Sequence, residues 1–590
     1  MRSLEEFSLP DAIHTAGLAG PRPSLSLALA GSGGAGVMTA GNILLEAAAF
    51  AGYYALMTRS SGPQIRGGEA AAMIRIASHP VECMDDRFQV LAGVDWENIH
   101  RFAAEIPLAA DGLIVGDPDC GDPPPVFAQS GARYEPLPLG KMAKGIPGGR
   151  ANMVLLGYLA ALLGLPEEAL RRATESLLGK RPAALEASLA ALAAGRAALP
   201  SGPRLALAPP PPAGSARWLV TGNEAAGLGA IKGGVRFVAA YPITPATELL
   251  EWMSPALASV GGVLVQAEDE LASINMIIGG SFGGVPALTA TSGPGLALMM
   301  ESLGLAVAAE TPVVVVDVMR VGPSTGIPTK SEQGDLNIAL HGLHGDAPHL
   351  VLAPNGVGDC LQTTHWAVTL TEQLQAPAIV LSDQFLGQAR AAIDRPADPP
   401  LAGERLRAEA GVAGYRRYAL TPSGVSPMAI PGTPGGAYTA DGLEHGERGT
   451  PSSQAADHVA QMAKRRRKLE SHDYGALWAD VEGEGELAVV TFGSCTGPLR
   501  EALAQQRHEV PAIRLVSLRL LAPLPREQLA EALAAVRRLL VVEQNESGQL
   551  LHYLRGTMAL PADTESLRKP GGQQFNPGEV RERLVAWSKA

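Results

Sequence analysis

The chain has 590 residues, a formal net charge of −12 at pH 7, 46% hydrophobic and 18% charged residues, and only 4% aromatics. That balance excludes a disordered chain, and its acidic sign excludes nucleic acid as a main partner, because phosphate contacts require clustered Lys and Arg. At about 150 residues per domain the length predicts roughly four structural units, or three if one is large.

The first element is the strand SLSLALA, which runs through GSGGAG into the helical pattern VMTAGNILLEAAAFAG. Gly31, Gly33 and Gly36 keep the G-x-G-x-x-G spacing, with Gly34 between them, in a strand–turn–helix setting where glycine lets backbone amides approach a phosphate. The next strand, YYALMTRS, ends without an acid for a ribose hydroxyl, which disfavours NAD. Two readings stay open here: a phosphate-bearing ligand other than NAD, or glycines that pack a tight turn. Arg66, in the run IRGG, either adds a guanidinium to such an anion or pairs with a local acid.

The segment LALAPPPPAGSARW at 205–218 has the composition of a semi-rigid spacer. After it, short apolar runs alternate with helical patterns: FVAAY, TELLEWMSPALA, GVLVQ, ELASINMIIGGSFGG, ALTATS, LALMMESLGLAVAAE and PVVVVDVMR. Such unbroken apolar strands are buried on both faces, and their alternation with helices predicts a parallel sheet with right-handed crossovers. The fold class is therefore α/β, with several doubly wound domains.

From about 390 to 475, Pro, Gly, Ser and charge replace the periodic pattern, as in an extended arm wrapping another domain or subunit. Its basic run KRRRK, 464–468, reads as a solvated face. From Glu486 the alternation returns in ELAVVTFGS, PAIRLVSLR and LLVVEQN, a smaller α/β unit. Cys83, Cys120, Cys360 and Cys495 stand far apart with no CxxC pair, and read as buried thiols of a cytosolic protein rather than a disulfide or metal framework. No run reaches the roughly 20 apolar residues of a membrane span and the amino terminus lacks the pattern of a leader, so a soluble, cytoplasmic protein is expected.

Polar residues gather just after the predicted strand ends of the middle unit: Thr244 in the proline-locked corner YPITP, the acids Glu268, Asp269 and Glu270, the pair Thr291 and Ser292, and Arg320. Ligands of open α/β sheets bind at the carboxyl ends of strands, although strand ends are polar in any case because the chain surfaces there. Three adjacent carboxylates in a dry cleft force at least one pKa upward, and a raised carboxyl is a candidate acid or base. The planar fork of Arg320 suits a substrate carboxylate, and Thr329, beside another proline, supplies a hydroxyl. A threonine fixed between prolines presents its hydroxyl to a small anion with little ordering cost.

YPITPATEL, QAEDELASINMIIGGSFGG, TATSGPGLALM and above all MRVGPSTGIPTKSEQGDL resemble the α subunit of the thiamine-diphosphate-dependent 2-oxoacid:ferredoxin oxidoreductases. GSGGAGVMTAGNILLEAA and IRGG are similar to the γ portion of that family, fused ahead of α, and TFGSCTGPLREAL with LLVVEQNESGQL resembles its transketolase C-terminal-like domain. DGLEHGERGTP and MAKRRRKLE are similar to the 2-oxoglutarate synthase subgroup. The resemblance implies a γ-like, coenzyme A-associated domain at 1–204, a linker at 205–218, a pyrimidine-binding type domain at 219–392, the arm at 393–480 and the transketolase C-terminal-like domain at 481–590. It implies that Thr244 and Arg320 meet the oxoacid carboxylate, with Thr329 and Lys330 in the same pocket. Glu270, or Glu268 in a shifted register, would then hydrogen-bond the aminopyrimidine of thiamine diphosphate. Thr291 and Ser292 would line the cofactor, and Gly31, Gly33, Gly34, Gly36 and Arg66 would help hold coenzyme A.

The sequence has no GDG followed by a distant NN for diphosphate and Mg2+, and no cysteine set for a 4Fe–4S cluster. The resemblance assigns both to a separate β subunit, in an (αβ)2 assembly that reduces ferredoxin. The implied reaction is oxidative decarboxylation of a 2-oxoacid with coenzyme A to acyl-CoA and CO2, or its reverse. 2-Oxoglutarate is the first substrate choice, with pyruvate or a broad range of oxoacids as the alternative. Lys330, Arg66 or a β-subunit residue would meet a distal carboxylate. A non-redox thiamine enzyme and a nucleotide-binding scaffold are the rival readings.

Overall fold

The computed structural model describes residues 21–62, 68–199, 205–212, 217–398, 401, 403–505 and 511–589. Three sheets organise them. The N-terminal sheet has eight strands, ordered Arg133–Pro136, Leu108–Gly116, Phe88–Gly93, Ser24–Gly31, Ala70–Ala77, Tyr54–Ser61, Arg390–Ile393 and Trp218–Thr221. It is mixed rather than purely parallel. Tyr54–Ser61 and Ala70–Ala77 are joined by a connection too short for a crossover, so they pair antiparallel, and the second of them inserts beside Ser24–Gly31. Two of its strands, Trp218–Thr221 and Arg390–Ile393, come from chain beyond the Pro-rich segment.

The middle sheet has seven strands, ordered Leu520–Ala522, Leu350–Leu352, Ala378–Asp383, Val314–Met319, Ala287–Thr291, Phe237–Ala240 and Val263–Gln266. Its pairings are parallel except at Leu520–Ala522, a strand lent by the C-terminal unit. The central strands are buried along their whole length, as their uninterrupted Val and Ala predict. The C-terminal sheet is ordered Ala479–Glu482, Ile513–Leu518, Leu487–Phe492, Arg538–Glu543 and Asp563–Arg568, parallel except for its first strand. One continuous apolar core joins the middle and C-terminal units, while the helix-covered face of the N-terminal sheet has its own.

The segment after Ile393 lies against the middle unit and contains a helix, Ala455–Glu470, that carries the basic run. The solvated face expected for KRRRK does not hold. Gln461, Lys464, Arg465 and Lys468 fall on one side of that helix and are buried, while Arg466 and Arg467 stay exposed. The reason is a carboxylate beneath them: Glu310, wholly buried, accepts from Lys464 Nζ at 2.5 Å and Lys468 Nζ at 3.0 Å. Arg405 likewise reaches Glu372 at 2.8 Å with both side chains buried. Cys83, Cys360 and Cys495 are buried, whereas Cys120 is exposed, because it follows a strand on a short polar turn. Among the described residues no helix is long and apolar enough to cross a membrane.

Candidate active site

Four segments meet at the carboxyl edge of the middle sheet. The strand Phe237–Ala240 leads into the Thr244–Pro245 corner, a cis peptide, before the helix Thr247–Ser259. The strand Val263–Gln266 leads to Asp269, which caps the next helix by accepting from the Ala272 amide at 2.7 Å, so that Glu270 is the first helical residue. The strand Ala287–Thr291 leads to Ser292 and the helix Gly293–Ala308, whose first turn holds a proline, where a missing N–H costs nothing. The strand Val314–Met319 ends at Arg320.

These ends converge. A Cβ on Gly295 would lie 2.1 Å from Thr291 Oγ1 and 2.7 Å from Glu270 Oε1, so only glycine admits that carboxyl between the two helix starts. Glu270 and Ser292 are buried, and among the described residues Ser292 Oγ has no hydrogen-bond partner. Arg320 is 7% exposed, and its Nη1–H donates to the Thr244 carbonyl oxygen at 2.5 Å. The corner thus offers its backbone, and not only its hydroxyl, to the guanidinium.

The three consecutive acids do not share a cleft, because the helix begins between them. Glu268 and Asp269 are exposed and Glu270 alone turns inward. Burial pushes two carboxyls near this sheet edge upward. Asp317, on the central strand, is wholly buried and sits well above the usual carboxylate range through burial and the nearby Asp335. Burial likewise carries Asp335 up to about 6, with Asp317 and Arg320 pulling it back. Sequence reading missed both, since an acid inside VVVVDVM looks like an ordinary strand residue. Its one signal is a charge in an otherwise apolar central strand.

Thr329 and Lys330 stand apart from that cluster, after the exposed loop that follows Arg320. The loop is closed by the Val321 amide donating to the Lys330 carbonyl at 3.0 Å. Lys330 Nζ donates to Ser60 Oγ at 2.9 Å and pairs with Glu105 at 2.5 Å, both in the N-terminal unit, and a Cβ on Gly572 would lie 2.7 Å from Lys330 Cβ. Thr329 and Lys330 therefore line a cavity of about 140 Å3 where the three units meet, with Met73, Cys83, Phe385 and Phe575.

The glycine loop lies at the end of Ser24–Gly31. Gly34 and Gly36 have φ of 92° and 85°, which an L side chain rarely adopts, and Gly33 and Gly34 face solvent. The acid that the next strand lacks comes from the parallel neighbour Phe88–Gly93: Asp95 accepts the Ser32 amide at 3.0 Å and its hydroxyl at 2.7 Å. Arg66 lies outside the described residues.

Family models match in three blocks: pyruvate ferredoxin/flavodoxin oxidoreductase over 26–198, the thiamine-diphosphate-binding part of pyruvate flavodoxin/ferredoxin oxidoreductase over 228–465, and core domain II of pyruvate:ferredoxin oxidoreductase over 485–580. The α subunit of 2-oxoacid:ferredoxin oxidoreductase 2 from Aeropyrum pernix is 31% identical, covering 94% of this chain and 96% of that one. The chain belongs to the 2-oxoacid:ferredoxin oxidoreductase α-subunit family. A 2-oxoglutarate synthase subunit KorA from Methanothermobacter marburgensis is 34% identical over 62% of this chain and 98% of its own length. A solved 2-oxoglutarate:ferredoxin oxidoreductase from Magnetococcus marinus, with 2-oxoglutarate, coenzyme A and succinyl-CoA bound, matches with a TM-score of 0.87 and 36% identity over 96% of this chain and 99% of that one.

Membership raises the question of whether the residues present fit thiamine diphosphate, and the cluster does. A buried carboxyl at Glu270, a glycine that leaves it room and the unpartnered hydroxyl of Ser292 are what a polar heterocycle wedged at two helix starts requires. No group of three or more potential metal ligands occurs among the described residues.

Proposed function

We propose that the chain is the γα-fused α subunit of an oxidoreductase that converts 2-oxoglutarate, coenzyme A and oxidised ferredoxin to succinyl-CoA, CO2 and reduced ferredoxin, in either direction. The observation that carries the reading is the pairing of Glu270 with Thr291 and of Arg320 with the Thr244 corner at the middle sheet's carboxyl edge, in a chain that matches a 2-oxoglutarate:ferredoxin oxidoreductase over 96% of its length. In this reading Glu270 holds a proton against the pyrimidine N1′ of thiamine diphosphate. The bound cofactor supplies a nucleophilic carbon and an electron sink. Arg320 and the Thr244 hydroxyl orient the oxoacid carboxylate, Thr329 and Lys330 serve the substrate from the separate cavity where the three units meet, and the glycine loop with Arg66 helps hold coenzyme A.

A β subunit would complete the site, carrying the diphosphate and Mg2+ anchor and a 4Fe–4S cluster in an (αβ)2 assembly. The support is a set of exposed apolar side chains on the elements that build the site: Tyr241, Leu271, Met276, Leu298 and Ile327. The test is co-expression with the β subunit, followed by coenzyme A-dependent reduction of ferredoxin or a viologen dye. Turnover of 2-oxoglutarate well above pyruvate supports the reading, and equal or reversed preference overturns the substrate assignment. The chain purified alone should be colourless and inactive; a stoichiometric cluster absorbance in it would contradict the division of labour.

A further inference from the structure

Behind Arg320 lies a pair of carboxyls that the reaction above leaves unused. Asp317 is on the Val314–Met319 strand, beside Thr291 of one neighbouring strand and Leu381 of the other, and is wholly buried. Neither of its oxygens has a hydrogen-bond donor among the described residues, and one oxygen of Asp335 is equally without one. Asp335 arrives from the other side: a Cβ on Gly293 would lie 2.6 Å from both its oxygens, which puts it at the uncapped start of the Gly293–Ala308 helix. Two acceptor-only groups turned toward each other in a dry site are not tolerated unless a proton lies between them.

We propose that Asp317 and Asp335 are a proton-sharing carboxyl pair that balances the charge of Arg320 and takes up a further proton when an oxoacid carboxylate binds that guanidinium. The inference rests on Arg320 being the oxoacid anchor. With one shared proton the pair carries one negative charge, matched by Arg320. A substrate carboxylate adds a second negative charge to the same buried site, and the nearest groups that can absorb it by protonation are the pair. The other charged groups around it do not offset this. Glu332 on the Asp335 segment is acidic, Asp383 on the adjoining strand is already held by the Leu386 and Ser494 amides, and Glu270 faces Gly295. The direction of burial's effect on both carboxyls agrees, with Asp335 raised to about 6, inside the range where a proton is taken up at neutral pH.

Because binding and protonation are reciprocal, an oxoacid that draws a proton onto the pair must bind more weakly as pH rises. Asp317 and Asp335 thus tune the oxoacid's binding by charge. They act through Arg320 and do not touch the substrate.

The test uses the assembled αβ complex with 2-oxoglutarate as probe. Titration calorimetry in two buffers of different ionisation enthalpy should show net proton uptake on binding. The KM should rise several-fold per pH unit above about pH 6, with kcat changing less. In Asp335→Asn, whose amide can donate to Asp317 without titrating, uptake and the KM slope should both vanish. Asp317→Asn is the second variant, should the first fail to fold, and should also remove a protonated-carboxyl infrared band present in the parent. No proton uptake in the parent, or a parent-like slope in a folded Asp→Asn variant, overturns the proposal. Arg320→Ala separates the two layers. An unchanged KM in it sinks the anchor role of Arg320, whereas a raised KM together with a slope indifferent to Asp335→Asn sinks the pair alone.

Discussion

Glu270 and Arg320 divide the residue-scale chemistry between proton and charge. Glu270→Gln keeps volume and loses the exchangeable acid, so the complex should still bind thiamine diphosphate, yet exchange the cofactor's C2 proton with deuterium about 10²–10⁴ more slowly, the usual weight of general acid–base assistance. Parent-like exchange would remove Glu270 from that role. Gly295→Ala tests the same point from the opposite wall. Its methyl would overlap Thr291 Oγ1 and Glu270, so exchange should slow without any change to the acid itself. Arg320→Ala should weaken oxoacid use by tenfold or more while sparing cofactor affinity, since truncating one member of a buried charge pair costs about 2–5 kcal/mol. Thr244→Val, which removes one neutral hydrogen bond and leaves the carbonyl that Arg320 uses, should act in the same direction but more weakly. Equal losses of oxoacid and cofactor binding in Arg320→Ala would mark the arginine as structural.

At the scale of elements, legibility followed hydrophobic period. The strand ends that present Thr244, Glu270, Thr291 and Arg320 were readable because unbroken apolar runs announce central strands and polar residues mark where they stop. What period cannot show is which way a helix turns its charges. The run KRRRK looks solvated until Glu310, far away in the chain, is found under Lys464 and Lys468. Burial alone would raise Glu310, but Lys468, Lys464 and Arg417 outweigh it and hold the carboxyl far below its usual range. Its folded pKa is the lower one, so its contribution to stability is full above the unfolded value of 4.5 and is lost as pH falls below it. Burial pushes Lys464 the other way, down to about 7 from 10.5, so the unfolded chain holds that proton more tightly and stability from this group rises between those values. Urea midpoints should therefore drop on acidification below about pH 4.5 and show no loss from this cluster up to about pH 10. Glu310→Gln should cost about 3–5 kcal/mol at neutral pH by stranding the cations, and should flatten the acid limb. An acid limb as steep in the variant as in the parent would assign acid sensitivity elsewhere.

The whole molecule is held by exchanges between units that composition does not reveal. Composition reads the Pro-rich segment as a spacer, but nothing local says that Trp218–Thr221 and Arg390–Ile393, on its far side, complete the N-terminal sheet, or that Leu520–Ala522 extends the middle one. Such strands are too short to carry a signature of the sheet they join. Charge completes the seam. Arg75, on the N-terminal strand Ala70–Ala77, forks onto Glu501 of the C-terminal unit with two bonds of 2.7 Å and donates to the Cys83 carbonyl at 3.0 Å, and Arg500 reaches back to Glu82 at 2.8 Å. Burial pushes Glu501 upward, and Arg75 outweighs it, so the carboxyl sits below its usual range and the pair stays ionised at neutral pH. Removing one partner of such a buried pair strands the other, which costs more than the pair is worth. Arg75→Met should lower stability by about 3–5 kcal/mol, and Arg75→Met with Glu501→Leu should recover most of that loss, because the double change strands neither member of this pair. The functional corollary concerns Lys330, whose loop leans on Glu105 and Ser60 across the same N-terminal unit. If the seam holds that unit against the substrate loop, Arg75→Met should raise the KM for 2-oxoglutarate and the double variant should restore it in parallel with stability, as read by urea midpoint and steady-state kinetics on the same preparations. A double variant that regains stability but not KM would show that the buried ion pair sets the placement of the N-terminal unit, and that packing alone cannot replace it.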